Sequence, residues 1–263
     1  MKVLMTGASG GIGTLLRPML HELGVEMRLS DIAEPENGRA EGEDWVIADM
    51  CDAEAMHGLV DGCDAILNFG GISTENTAEL IHSVNVIGTY NLYDAARKAG
   101  VKRILFASSN HAIGFHTRET RLDAEAPVLP DSLYGVSKVY GEGLALYYWK
   151  KFGIEGARVR IGSCFEKPKD RRMMATWMSA RDMLRLIDRV LKVPRLGCPV
   201  VYGVSANDEL WWDNSKVAYL GWQPQDSSRQ WAGEHPDEPA VEVDDPAIKY
   251  QGGGFAKAGH FDD

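Results

Sequence analysis

Three observations in this sequence predict an α/β fold built on a doubly wound parallel sheet. Short apolar runs alternate with stretches of helical periodicity up to residue 161, the pattern of successive βαβ units. Several of those runs are continuously apolar, as strands covered on both faces must be. The polar and glycine-bearing motifs fall where the runs end, which is where such sheets bind ligands. A Rossmann-type core is expected over residues 1–161. Residues 162–263 are expected to supply a small substrate-binding elaboration and a tail packed on the same domain.

The elements justify themselves in order. Lys2-Val3-Leu4-Met5 reads as the first strand. Thr6-Gly7-Ala8-Ser9-Gly10-Gly11-Ile12-Gly13 follows, and a helical pattern runs on through Leu15, Leu16, Met19 and Leu20. A strand, a glycine turn and a helix N-terminus in that order form a dinucleotide site, because the bare backbone can approach a pyrophosphate and the helix dipole favours its charge. Gly7, Gly10, Gly11, Ile12 and Gly13 are the candidate contacts. Their G-x-x-G-x-x-G spacing departs from G-x-G-x-x-G and favours the short-chain dehydrogenase/reductase version of the fold.

Val25–Asp31 reads as the second strand, ending in an acid. An acid there can accept both ribose hydroxyls and repel a 2′-phosphate, so Asp31 predicts NAD over NADP. Trp45–Ala48 is the third strand, and Asp49 and Met50 after it can meet the adenine edge. Cys63–Phe69 is the fourth, with Asn68 at its cofactor end and Gly70-Gly71 closing it. Leu80, Val84 and Ile87 recur at helical spacing in a helix reaching about Lys98, its apolar face interrupted by Asn85 and Asn91. Arg103–Ala107 is the fifth strand and leads into Ser108-Ser109-Asn110-His111. The sixth lies near Gly156–Ile161, followed by a basic stretch from Lys167 to Arg172. Gln223 to Pro246 is rich in Pro, Asp and Glu and reads as an extended tail, wrapped on the core or a neighbouring subunit, or solvated.

Composition narrows the function classes. The chain has 263 residues, 44% of them hydrophobic, so it can bury a full core. A net charge of −10 disfavours nucleic acid and anionic membrane as partners. Cys51, Cys63, Cys164 and Cys198 include no C-x-x-C pair, which suggests neither a metal site nor a redox dithiol, but reduced thiols in a cytoplasmic protein. No apolar run approaches membrane-spanning length.

Tyr134-Gly135-Val136-Ser137-Lys138 places a phenol and an ammonium one helical turn apart. A tyrosine normally titrates near about 10, and a fixed positive charge beside it lowers that value. Such a tyrosine can take a proton from an alcohol while a hydride leaves the same carbon.

Thr6-Gly7-x-x-Gly10-x-x-Gly13, Asp31, Ser109 and Tyr134-x-x-x-Lys138 together resemble the extended short-chain dehydrogenase/reductases. Ser108–Gly114, Arg160–Cys164, Arg172-Met173, Leu196–Val201 and Trp211–Asn214 narrow the resemblance to the bacterial uronate dehydrogenases, with Gln251-Gly252-Gly253 as an echo near the end. The resemblance implies that NAD accepts a hydride from C1 of cyclic galacturonate or glucuronate. It implies Tyr134 as the base, Lys138 as the group that lowers its pKa and binds the nicotinamide ribose, and Ser109 as a donor to the reacting oxygen. Arg172 would hold the C6 carboxylate. Ser73, Asn110, His111 and Ser163 would bind sugar hydroxyls or the carboxylate. No metal is implied, and a cytoplasmic homo-oligomer is expected. Trp211 and Trp212 are expected in the core or an interface rather than against a sugar, and His116 has no assigned role.

Two rivals use the same cofactor motifs. A nucleotide-sugar epimerase or dehydratase needs a larger C-terminal part than the roughly 100 residues that follow the catalytic helix here. A non-catalytic NAD(H) sensor usually loses the tyrosine or lysine that this chain keeps.

Overall fold

The computed structural model describes residues 1–235 and 244–261. Seven parallel strands form one sheet in the order β3-β2-β1-β4-β5-β6-β7. They are β1 Lys2–Thr6, β2 Glu26–Asp31, β3 Asp44–Ile47, β4 Ala65–Asn68, β5 Arg103–Ser109, β6 Glu155–Ile161 and β7 Val200–Gly203. The order reverses between β1 and β4, which opens a crevice beyond their carboxyl ends. The first six strands differ from the sequence reading only at their ends. β7, which that reading lacks, extends the sheet beside β6 and brings the C-terminal part against the core.

Strand alternation divides the core between the two faces. Val3, Met5, Leu67 and Leu105 pack with Met183, Leu186, Ile187 and Val190 of α7, Ala180–Lys192. Leu4, Ile66 and Ile104 pack on the other face with Met56 of α2, Ala53–Val60, Leu92 of α4, Thr89–Ala99, and Tyr148 of α5, Leu133–Phe152. The other α-helices among the described residues are α1 Gly11–Leu16, α3 Ala78–Leu80, α6 Arg171–Thr176, α8 Pro246–Lys249 and α9 Gly254–Lys257. The long helix expected before β5 is α3 and α4 joined through a π-helical stretch, Ile81–Gly88. Trp211 and Trp212 are buried in a satellite core with Tyr202, on which Trp212 stacks. No described helix is long and apolar enough to cross a membrane.

The expected tail is only partly extended. Fully buried Asp182 accepts hydrogen bonds from the Gln225 and Asp226 amides at 2.8 and 3.1 Å, and Trp231 packs edge-on against Trp177. These contacts fix the stretch up to Trp231 on the chain's own core. Residues 236–243 of the expected tail lie outside the described residues. From residue 244 the chain runs back through α8 and α9 to the carboxyl end of β5.

Candidate active site

The glycine loop is shaped by contacts that exclude side chains. Gly7 has φ +70°, and a Cβ there would meet the Phe69 carbonyl at 2.6 Å. A Cβ at Gly13 would meet the Gly7 carbonyl oxygen at 2.5 Å, whereas one at Gly11 would meet nothing within 4 Å. Ile12 lies in the first turn of α1 beside them. Asp31, at the end of β2, accepts from the Ser9 amide at 2.9 Å through Oδ2 and from the Ile32 amide at 2.8 Å through Oδ1. Its carboxylate therefore lies against the loop. Asp49 accepts from the Cys51 amide at 2.8 Å. Met50 is buried against Gly70 and Gly88, and Asn91 donates to its carbonyl at 3.0 Å. Asn68 accepts from Thr6 Oγ1 at 2.9 Å, while its buried amide nitrogen has no partner among the described residues. The chain thus presents a side-chain-free cradle, an acid at the second strand end and an orphaned donor at the fourth. These fit a dinucleotide.

Asn85 explains why a polar residue interrupts the apolar face of its helix. It holds the loop after β4 through Ile72 and donates to Ser137 Oγ of α5 at 3.0 Å, so its π-helical turn ties that loop to the tyrosine-bearing helix. Glu75 makes a second tie: its carboxylate accepts from the Leu133 and Tyr134 amides at 3.0 and 2.8 Å, at a helix end that favours negative charge. Ser132 caps the same end. Ser73 is exposed on this loop, two residues from Glu75.

Tyr134 and Lys138 are both buried, with the Lys138 ammonium 5.4 Å from the Tyr134 and Phe106 ring centres. Burial pushes the phenol up to about 12 against the opposing hydrogen bond from Ser109. It also draws the Lys138 ammonium down to about 8. The expected acidification of Tyr134 by Lys138 is therefore not a property of this chain's residues alone. Desolvation raises the phenol instead, because the phenolate, like the ammonium, loses water in the same buried place.

Ser109 ends β5, and the turn after it carries Asn110 and His111. His111 Nδ1 lies 2.8 Å from Asp131 Oδ2, and its ring stacks on Phe255 with centres 3.9 Å apart. Burial lowers the His111 pKa, more than Asp131 raises it. A neutral imidazole facing a carboxylate donates Nδ1–H to it and keeps a lone pair on Nε2. Asn110, with its amide set by its neighbours, donates to the Ile161 carbonyl at 3.1 Å and accepts from Arg172 Nη2 at 2.6 Å. Arg172 Nε donates to the Gln251 carbonyl at 2.7 Å. Among the described residues no carboxylate lies within ion-pair distance of Arg172, and burial lowers its pKa to about 10. Ser163 is buried and shares a hydrogen bond with Thr176 Oγ1 at 2.9 Å.

Asn110, His111, Tyr134 and Arg172 thus meet at the carboxyl end of β5, whereas Ser73 stands on the loop beyond and Ser163's hydroxyl has an internal partner. His116 bonds the Pro127 carbonyl at 2.9 Å, a structural role. The sequence reading did not find Glu75, Asp131 or Phe255, and nothing local marks them. Among the described residues no cluster suits a metal ion.

A model of the NAD dependent epimerase/dehydratase family matches residues 3–181. The uronate dehydrogenase of Pseudomonas putida is 47% identical over 260 residues, covering 99% of this chain and 97% of that protein. The crystal structure of glucuronic acid dehydrogenase from Chromohalobacter salexigens superposes with a TM-score of 0.96 at 55% identity, covering 100% of this chain and 98% of that one. Uronate dehydrogenase from Agrobacterium tumefaciens, solved as a tyrosine-to-alanine mutant complexed with NAD, has a TM-score of 0.92 at 44% identity, covering 99% of this chain and 98% of that one.

Proposed function

We infer that this chain, which belongs to the NAD dependent epimerase/dehydratase family, is an NAD-dependent dehydrogenase of hexuronic acids. It oxidises C1 of cyclic galacturonate or glucuronate to the aldarolactone, which opens to the aldaric acid. The observation that carries the substrate class is Arg172: a part-buried guanidinium without a carboxylate partner among the described residues, bonded to Asn110, which follows Ser109 at the end of β5. A buried cation left unpaired is unfavourable, and an anionic ligand relieves it. An acidic chain needs such a local reversal of field to take an anionic substrate.

NAD, when bound, supplies the hydride acceptor. Gly7, Gly10, Gly11, Ile12 and Gly13 would hold its pyrophosphate, Asp31 the adenosine ribose, Asp49 and Met50 the adenine, and Asn68 would lie along the nicotinamide half. Tyr134 takes the proton of the C1 hydroxyl, and Ser109 donates to the same oxygen. Tyr134 must titrate below its value in the chain alone, and Lys138 with the positive nicotinamide supplies the charge that favours the phenolate. Bringing it from about 12 to neutral pH takes roughly 7 kcal/mol. Lys138 also holds the nicotinamide ribose. Arg172 grips the C6 carboxylate through two parallel hydrogen bonds. His111 accepts a sugar hydroxyl on Nε2, with Asn110, Ser73 and Ser163 as further contacts.

The test is a screen of NAD⁺ reduction across galacturonate, glucuronate, the matching neutral aldoses and nucleotide sugars. Both uronates should reduce NAD⁺ rapidly, and neutral aldoses poorly. Equal turnover of galactose and galacturonate would remove the carboxylate from the reading, and turnover of nucleotide sugars alone would replace it. The four cysteines are free thiols, which supports the cytoplasm as its compartment. Exposed Tyr90 and Tyr147 on the adjoining helices α4 and α5 support a homo-oligomer through that face.

A further inference from the structure

Gln251-Gly252-Gly253 has no place in the reaction described so far, yet it is among the most constrained stretches of the chain. Gln251 is fully buried and every side-chain group of it is bonded. Its Nε2 donates to the Thr117 and Thr120 carbonyls at 3.0 and 2.8 Å, and its Oε1 accepts from Trp212 Nε1 at 2.8 Å. Its own carbonyl is the acceptor for Arg172 Nε. The Gly252 amide donates to the Gly114 carbonyl at 2.8 Å, and a Cβ on either glycine would overlap the Asp131 carboxylate that holds His111. Gly253 has φ +64°, a region that favours glycine, and a Cβ there would lie 2.5 Å from Arg172 Cδ and 2.8 Å from Nε.

We propose that Gln251-Gly252-Gly253 is a positioning strap for Arg172, and that its docking sets the enzyme's preference for a carboxylate at C6. A guanidinium aims two parallel N–H bonds only if its stem is held, and rotation about the stem misplaces both. Here the stem is held from one side by the Gln251 carbonyl and is given room by the absent side chain of Gly253. The Gln251 amide locks the strap into the satellite core, and the close fit of Gly252 over Asp131 allows it one register. The inference rests on the reading of Arg172 as the carboxylate clamp.

The experiment measures kcat/KM for galacturonate and galactose, with NAD⁺ affinity by titration, in Gly253→Ala, Gln251→Glu, Arg172→Ala and Arg172→Ala/Gly253→Ala. Gly253→Ala should raise KM for galacturonate at least about 30-fold and leave galactose use unchanged. NAD⁺ affinity should stay within about threefold, because the strap touches none of the glycine loop. Gln251→Glu keeps the bond from Trp212 and loses both donors, and should reproduce the effect in weaker form, which covers the case of a poorly folded Gly253→Ala. The double variant should discriminate no worse than Arg172→Ala, since one interaction cannot be lost twice. Unchanged galacturonate/galactose ratios in both strap variants, or additive losses in the double variant, overturn the strap while leaving the clamp standing. An unchanged ratio in Arg172→Ala overturns the clamp, and the strap's role with it.

Discussion

At the proposed cofactor end of the crevice, the groups that would face a dinucleotide come from neighbouring residues: Gly7 to Gly13, then Asp31 bonded straight back to Ser9. At the substrate end, Asn110, His111, Asp131, Arg172 and Gln251 come from stretches up to 141 residues apart, between Asn110 and Gln251, and meet only in the folded chain. The first end would work through backbone amides and missing side chains. The second would work through side chains that are each held by another. Backbone recognition is local and survives distant substitutions, whereas a clamp built from side chains inherits the weaknesses of everything that supports it.

Tyr134 stands where the two ends meet, so its loss should be the largest. Tyr134→Phe should lower kcat by about 100- to 10,000-fold, with NAD⁺ affinity nearly intact, because only the ionisable oxygen is removed. Single-turnover kinetics with a binding titration would check it, and near-normal turnover would mean that the base lies elsewhere.

The substrate end should break next. Removing a bidentate charged partner from a desolvated site costs on the order of 2–5 kcal/mol. Arg172→Ala should therefore lower kcat/KM for galacturonate by roughly 30-fold to several thousand-fold. Galactose, with the same ring hydroxyls and no carboxylate, should lose nothing further. Survival of the galacturonate/galactose ratio would make the contrast between the two ends a false one.

Lys138 shows that the junction is held against its own stability. Its pKa falls from 10.5 to about 8 on burial. Below about pH 8 the folded chain must keep a buried ammonium that the unfolded chain keeps in water. This opposes folding by about 3 kcal/mol. As pH rises from 8 toward 10.5 the folded chain is the first to release the proton, and the penalty fades. Lys138→Met should thus raise Tm at pH 7, abolish turnover, and show a shrinking gain in stability as the pH approaches 10.5. A gain that does not change with pH would assign it to packing rather than charge.

The cofactor end should yield least. Asp31→Ala removes one charged hydrogen-bond partner and relieves repulsion of a 2′-phosphate, while the glycine cradle keeps its grip on the pyrophosphate. The NAD⁺/NADP⁺ ratio of kcat/KM should narrow by about tenfold. An unmoved ratio would show that Asp31 serves only Ser9 and Ile32.

What was legible in the sequence follows the same division. The sheet, the glycine turn, Asp31 and the Tyr134–Lys138 spacing could all be seen because each is written in a few consecutive residues, with a period of two or 3.6 or a spacing of one turn. Resemblance added Arg172, Asn110 and His111 as candidates. Glu75 on the catalytic helix, Asp131 behind His111, Phe255 over its ring and Gln251 behind Arg172 were not legible. Each owes its place to a partner more than 15 residues away, and no periodicity records such a pairing. The direction of the Tyr134 shift was hidden for a related reason: spacing shows that an ammonium is near, but only the packing around it sets how much water both groups lose. Sequence alone determined the first six strands of the parallel sheet and the glycine turn after the first of them, because backbone geometry is a local property. Tertiary structure alone decided how the Arg172 guanidinium is held and which way the Tyr134 phenol shifts, because burial and long-range contact are properties of the whole fold.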